Sequence, residues 1–164
     1  RQWSLSWHFK IWLVGKGLAT YEEVFITKPP HIRKMLQEEG TERGRAIYGE
    51  NVWCDAAKGW MRLLGDTWGI KGFVIGDIRF VNGVHLVHDL GGRVLRMHAP
   101  DRAETSKLTP EARKHASEIA LDDYHGFDGY LFNMRPENNP GQLDLDTQLS
   151  VLFDEWGWDW TGKL

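Results

Sequence analysis

Three short strand-like runs, at residues 73–76, 93–98 and 127–133, alternate with stretches in which apolar residues recur at the helical period. Brief runs bounded by glycine and proline read as strands. Strands separated by helices call for a parallel sheet with right-handed crossovers. The expected fold class is therefore α/β. The firmest helix begins at Val52, because Val52, Trp53, Ala56, Ala57, Trp60, Met61 and Leu64 keep one apolar face. Ile32, Met35 and Leu36 predict another helix, entered through Pro29-Pro30 and stopping near Gly40. Further helices are expected over about residues 82–90, ended by Gly91-Gly92, and over about 144–156. Thr109-Pro110-Glu111 supplies a cap, a first-turn proline and an acid for one more. Residues 2–14 read as an extended entry segment, with Trp3, Leu5 and Trp7 alternating, followed by a short helix.

A length of 164 residues suits one domain with a real core, and residues 1–164 are read as such. The net charge of −3 lacks the basic footprint of a duplex-binding protein, so nucleic acid is not an expected partner. The longest apolar stretch, residues 11–14, is far too short to span a bilayer, and no tripartite signal peptide is recognisable. Cys54 is the sole cysteine, which rules out an intramolecular disulfide and fits a reducing, cytoplasmic setting. The chain opens on Arg1 rather than methionine, so a fragment or processed product is expected.

Phe73-Val74-Ile75-Gly76-Asp77-Ile78-Arg79-Phe80 carries the most chemistry. In open α/β sheets ligands lie beyond the carboxyl ends of strands, and Asp77 and Arg79 fall there, two apart and pointing the same way. An acid in that place can hold a water on Mg²⁺, and a guanidinium can grip phosphate oxygens. An ion pair closing a strand end is the competing explanation. A second cluster, Arg33, Gln37, Thr41, Arg43 and Arg45, surrounds a glycine turn and suits an anion with a hydrogen-bonding base, or is an ordinary solvated helix face. A third, His115-Ala116-Ser117-Glu118 behind Arg102, Lys107, Arg113 and Lys114, reads as a lid over phosphates (an insertion of about residues 101–118) or as a capped surface helix. Trp53 and Trp60 belong to a core. Trp156, Trp158 and Trp160 cover a core edge or form an interface. His85, His88 and His98 lack metal-ligand spacing. Cys54 reads as a buried structural thiol.

Taken in order, these pieces resemble the deoxynucleoside monophosphate kinases, especially those of bacteriophages. The matching residues are Arg33-Lys34-Met35-Leu36-Gln37 with Gly40-Thr41 and Gly44-Arg45, then Val52-Trp53, then Val74 to Phe80 with Asn82. They continue with Gly91-Gly92, Val94 and Arg96, then His115, Ser117 and Glu118, and finally Asp128 and Asn133. The resemblance covers about residues 28–152. It implies a three-layer P-loop kinase fold and transfer of a phosphoryl group from ATP, as co-substrate, to a deoxynucleoside monophosphate. It also implies that Arg33, Gln37, Thr41 and Arg45 hold the acceptor, that Asp77 and Arg79 meet Mg²⁺ and phosphates, and that Ser117 and Glu118 lie near the acceptor or lid. A phage-encoded enzyme of this kind would work in the host cytoplasm, and a homodimer is compatible with it.

Two departures stand out. The family's phosphate loop, G-x-x-x-x-G-K-[ST] or a close variant, belongs before residues 4–10 and has no counterpart in the 164 residues, so it and the first strand are expected to be missing from this chain. Val14-Gly15-Lys16-Gly17 lacks both the first glycine at the right spacing and the hydroxyl after lysine. The proline and acid that usually follow the arginine-phenylalanine pair are replaced by Val81-Asn82-Gly83. Besides a kinase, a nucleotide-binding module without ATP chemistry and an assembly protein using the residue 156–160 tail fit the sequence.

Overall fold

Thr20 and Glu23 sit three apart, the spacing at which two side chains satisfy each other's backbone donors at a helix entrance. The Thr20 N–H donates to Glu23 Oε2 at 2.8 Å and the Glu23 N–H donates to Thr20 Oγ1 at 3.2 Å. The turn they open, Glu23–Thr27, is π-helical and closes at Lys28, whose φ of 45° is left-handed. The computed structural model describes residues 5–101, 110–135 and 137–158. The chain divides into two compact units, Arg1–Leu86 with Leu108–Asp122, and Val87–Lys107 with Asp123–Leu164.

In the first unit, helix α1 (Leu5–Gly15) is followed by the π turn and then by α2 (Pro30–Glu38). Leu13, Val24 and Ile32, one from each, are fully buried, with Phe9, Val14, Phe25, Met35 and Leu36 packed around them. The expected short helix is present, but it already begins at Leu5, so Leu5 and Trp7 are helical and not part of an extended entry. Phe9 and Leu13 are one helical turn apart and reach the same cluster, and that spacing outweighs a weak alternation carried by a few positions. Proline at the first position of α2 supplies the φ that a helix start needs.

A second π-helical turn, Glu39–Arg43, leads into the short α3 (Gly44–Tyr48), and α4 (Val52–Trp68) follows. Gly44 is where α3 meets α4. A Cβ there would stand 2.6 Å from Trp53 Cζ2 and 2.8 Å from the Glu39 carbonyl oxygen. The Trp53 indole N–H donates to the Gly40 carbonyl at 2.5 Å, pinning the turn to α4. Cys54 is buried in α4, and burial pushes its thiol pKa up, with the Asp55 charge adding to it, as suits a structural thiol.

Residues 73–76 are not a strand. Segment 69–80 is irregular, and Val74 is 98% exposed. A strand exists only by pairing with neighbours, and among the described residues none pairs with this run. Helix α5 (Val81–Asp89) begins directly after it, with Val84 and Leu86 buried. Gly83 lies in its first turn, where a Cβ would press Ile78 Cγ2 at 3.1 Å.

The second unit holds the sheet. Strands β1 (Leu95–His98) and β2 (Gly129–Phe132) pair in parallel, Leu95 opposite Gly129 and His98 opposite Phe132. Parallel pairing was expected, and the strands fall inside the expected runs. The sheet among the described residues has two strands, so the coarse class is mixed helix and sheet, rich in helix. Between the strands come two single turns, α6 (Pro110–Arg113) and α7 (Ala116–Ile119), which belong to the first unit. Helix α8 (Leu145–Glu155) is capped by Asp144, which accepts from the Thr147 N–H at 2.9 Å. Gly129 lets α8 approach β2: a Cβ there would stand 3.0 Å from Leu152 Cδ2. Among the described residues no helix is long and apolar enough to cross a membrane.

Truncating Leu13 to alanine would leave a cavity at the centre of the first unit's cluster. We expect a loss of about 2–5 kcal/mol of unfolding free energy in urea titrations. A loss under about 1 kcal/mol would show that this cluster does not organise the unit.

Candidate functional site

Arg79 is the centre of the first unit's charged constellation. Its Nε–H donates to Asp77 Oδ1 at 2.6 Å, and its NH1 group donates to Glu118 Oε1 at 2.5 Å. Among the described residues these are its hydrogen bonds, from the five N–H donors of a guanidinium. The irregular course of residues 77–79 folds the two side chains onto each other, and α7 brings Glu118 from 39 positions further on. Burial works to lower the Arg79 pKa, but the hydrogen bonds and charges of Asp77 and Glu118 outweigh it and hold it above the ordinary value.

A chain of polar contacts lies behind Glu118. His115 is the N-cap of α7, its Nδ1 accepting from the Ser117 N–H at 3.2 Å. Ser117 Oγ lies 2.8 Å from the same nitrogen, and His115 Nε2 lies 2.8 Å from Glu42 Oε1. One protonation state satisfies all three contacts. Nδ1, which accepts from the Ser117 N–H, is bare with Ser117 Oγ beside it, while Nε2 carries the proton and donates to the Glu42 carboxylate. Ser117 is a buried polar residue among the described ones.

The remaining expected ligands lie in the same unit but are less closely joined. Arg45 stacks over the Phe80 ring, its Cζ 4.1 Å from the centroid, next to Arg79 in sequence. Arg43 forms an ion pair with Glu39 at 3.5 Å within one helical turn. Arg33 and Gln37 share a face of α2, and Thr41 lies in the π turn. Among the described residues none of these three bonds to Asp77, Arg79 or Glu118. The Gln37 amide nitrogen is buried and has no hydrogen-bond partner among the described residues. Asn82 joins the entrance of α4 instead, donating to the Glu50 carbonyl and to Asn51 Oδ1, each at 2.9 Å.

Two participants were not legible in the sequence. Burial lowers the pKa of Lys10 on α1, the Lys28 charge adds to that, and the Asp77 carboxylate works in the opposite direction without overcoming them. Glu42 anchors His115 from 73 positions away. Neither carries a local pattern: each is one charge on a helical face, and only the fold gives it a partner. Of the lid-like insertion, residues 102–109 lie outside the described residues, Arg102 and Lys107 among them.

The second unit has its own acid, Asp128, at the entrance of β2. It accepts from the Val94 N–H at 2.7 Å, from His88 Nε2 at 2.8 Å and from Arg93 NH1 at 3.0 Å. Together these join the end of α5 to the starts of both strands. Burial works to raise its pKa, and the three hydrogen bonds overcome that and set it below the usual carboxylate range. His98 stacks on Tyr130 and Phe132 with centroids 5.6 and 5.3 Å apart. An open cavity of about 380 Å³ lies at the carboxyl end of the strands, lined by His98, Pro100, Phe132 and Met134 among others. Beside it a second, of about 410 Å³, is lined by Asn133, Asn139 and Gln142. Phe153, Trp156 and Trp158 form an aromatic cluster, and Trp160 lies outside the described residues. Among the described residues no group of three or more His, Cys, Asp or Glu side chains could hold a metal ion.

Comparison with family models, with curated proteins and with solved structures finds no match to this chain.

Because folding lowers the Asp128 pKa, its stabilisation is complete above the ordinary carboxylate pKa and is lost as pH falls through the folded-state value. Asp128→Asn should cost roughly 1–3 kcal/mol at neutral pH, and the gap from the parent should narrow as the solution is acidified below about pH 4. A gap that stays constant down to pH 2 or so would show that the ionised carboxylate is not what joins the strands.

Proposed function

We propose that this chain is a deoxynucleoside monophosphate kinase of the P-loop type, and that the first unit carries its acceptor and phosphate-neutralising groups. The observation that carries the reading is the Arg79 contact with Glu118. These residues come from two separate motifs of the resemblance and meet in one constellation with Asp77. A guanidinium fixed by two carboxylates keeps its remaining N–H donors oriented, and such a fork suits phosphate oxygens. The Gln37 amide nitrogen, buried and without a partner among the described residues, and the Arg33 and Arg45 guanidiniums of the same unit would supply hydrogen bonds and charge for a base and its monophosphate.

Phosphoryl transfer asks a protein mainly for positioning and charge neutralisation. Arg79 would grip the phosphates, with Asp77 and Glu118 fixing its orientation. Asp77, whose Oδ1 is the oxygen bonded to Arg79, would hold magnesium through water, and the ion would neutralise charge on the transferring group. No residue of this chain has the pattern of an ATP phosphate loop, so the share of the reaction that its own residues carry is acceptor binding and electrostatic stabilisation.

Calorimetric titration with each of the common deoxynucleoside monophosphates tests the reading. One of them should bind, and Arg79→Ala should weaken it by about 1.5–3 kcal/mol, the range for hydrogen bonds to charged groups. Absence of binding by all of them would contradict the reading, and unchanged affinity in the variant would make Arg79 a structural residue. A coupled ADP-release assay on the same samples separates a kinase from a module that binds nucleotide without turnover.

A further inference from the structure

Histidine is an unusual choice at a helix N-cap, where short oxygen-bearing side chains are preferred. At His115 the imidazole does what a serine or asparagine could not. Through Nδ1 it caps α7, and through Nε2 on the far side of the ring it reaches Glu42 in the Glu39–Arg43 turn. The turn it caps has four residues, Ala116–Ile119. So short a helix is not stable by its own backbone bonds, and outside contacts must set its place. One such contact is visible at its start, between Glu42 and His115, whose ring also caps the turn at Ser117. The next residue along is Glu118, which holds Arg79.

We infer that His115, anchored by Glu42, is the positioning residue of the Arg79 anion site: it fixes the turn that delivers Glu118 to Arg79, and so holds the guanidinium in one orientation. The inference rests on the reading of Arg79 as the phosphate-gripping cation. His115 does not itself touch the anion. Its effect passes through Ser117 and Glu118, by way of the neutral ring with its proton on Nε2. Without it the guanidinium would sample several orientations, and its affinity for an anion would fall in proportion to the time spent in the competent one.

The test is the set of Arg79 Nη–H resonances, the group that donates to Glu118, recorded at low temperature on the full chain labelled with ¹⁵N-arginine and assigned by their loss in Arg79→Lys. It is followed without ligand and then in a titration with inorganic phosphate. His115→Ala is expected to move the resonances toward the position of a solvent-exposed arginine. Phosphate affinity should weaken about threefold, as when the competent orientation is populated a third of the time. His115→Asn, which keeps the cap but loses the reach to Glu42, should restore only part of both. Glu42→Gln, which preserves shape and leaves the cap in place, should give a smaller change in the same direction and serves if the alanine variant does not fold. Arg79 resonances and phosphate affinity unchanged in His115→Ala, or in Glu42→Gln where that variant must serve, would overturn the inference. The ligand-free resonances decide this point even if no deoxynucleoside monophosphate binds, so failure of the kinase reading and failure of the positioning role give different results.

Discussion

The Arg79 guanidinium is shared between two carboxylates, and much of the first unit is arranged to make that sharing hold. A partly buried cation is stable only when desolvation is offset by close acceptors. Asp77 supplies one from two residues away, and Glu118 supplies the other from a separate turn of the chain. That second acceptor is what gives the constellation its reach. It joins an irregular segment, which has no strand pairing among the described residues, to α7, and through His115 and Glu42 to the turn after α2. Gly44 and Trp53 fix that turn against α4 in their own right. The chemistry proposed for the site follows from the same contact, since an oriented guanidinium is worth more to an anion than a free one.

Asp128 plays a comparable part in the second unit. One carboxylate gathers a backbone N–H, an imidazole and a guanidinium, and so holds together the places where β1 and β2 begin. A two-stranded sheet is marginal by itself. Here it gains support from this clamp and from α8, which approaches closely because Gly129 has no side chain. Both units thus depend on an ion pair reinforced by hydrogen bonds between residues far apart in sequence.

How much of this could be read from the sequence depends on how local each signal is. The α4 helix was legible because its apolar period repeats over seven positions, and its observed end at Trp68 lies only a turn beyond the last of them. Helix α8 and both strands fell where local pattern and punctuation put them. Residues 73–76 have as good a strand composition as either, yet form none. Composition favours an extended backbone, but pairing is a property of neighbours that no single run encodes. Helix α1 was legible only in its later part: a short alternation at its start hid the Phe9 to Leu13 spacing that packs on Val24 and Ile32. Of the site, Asp77, Arg79, Ser117 and Glu118 were legible as separate motifs, whereas Lys10 and Glu42 gain meaning only through partners far away in sequence.

The most direct measurement of the central claim is a double-mutant cycle on unfolding free energy, with Arg79→Met, Glu118→Gln and the pair. If Arg79 and Glu118 act as one unit, the two single losses should exceed the double loss by roughly 0.5–3 kcal/mol, as for residues in one ion-pair network. Single effects that simply add, to within about 0.3 kcal/mol, would contradict it and leave the constellation a chance meeting of surface charges.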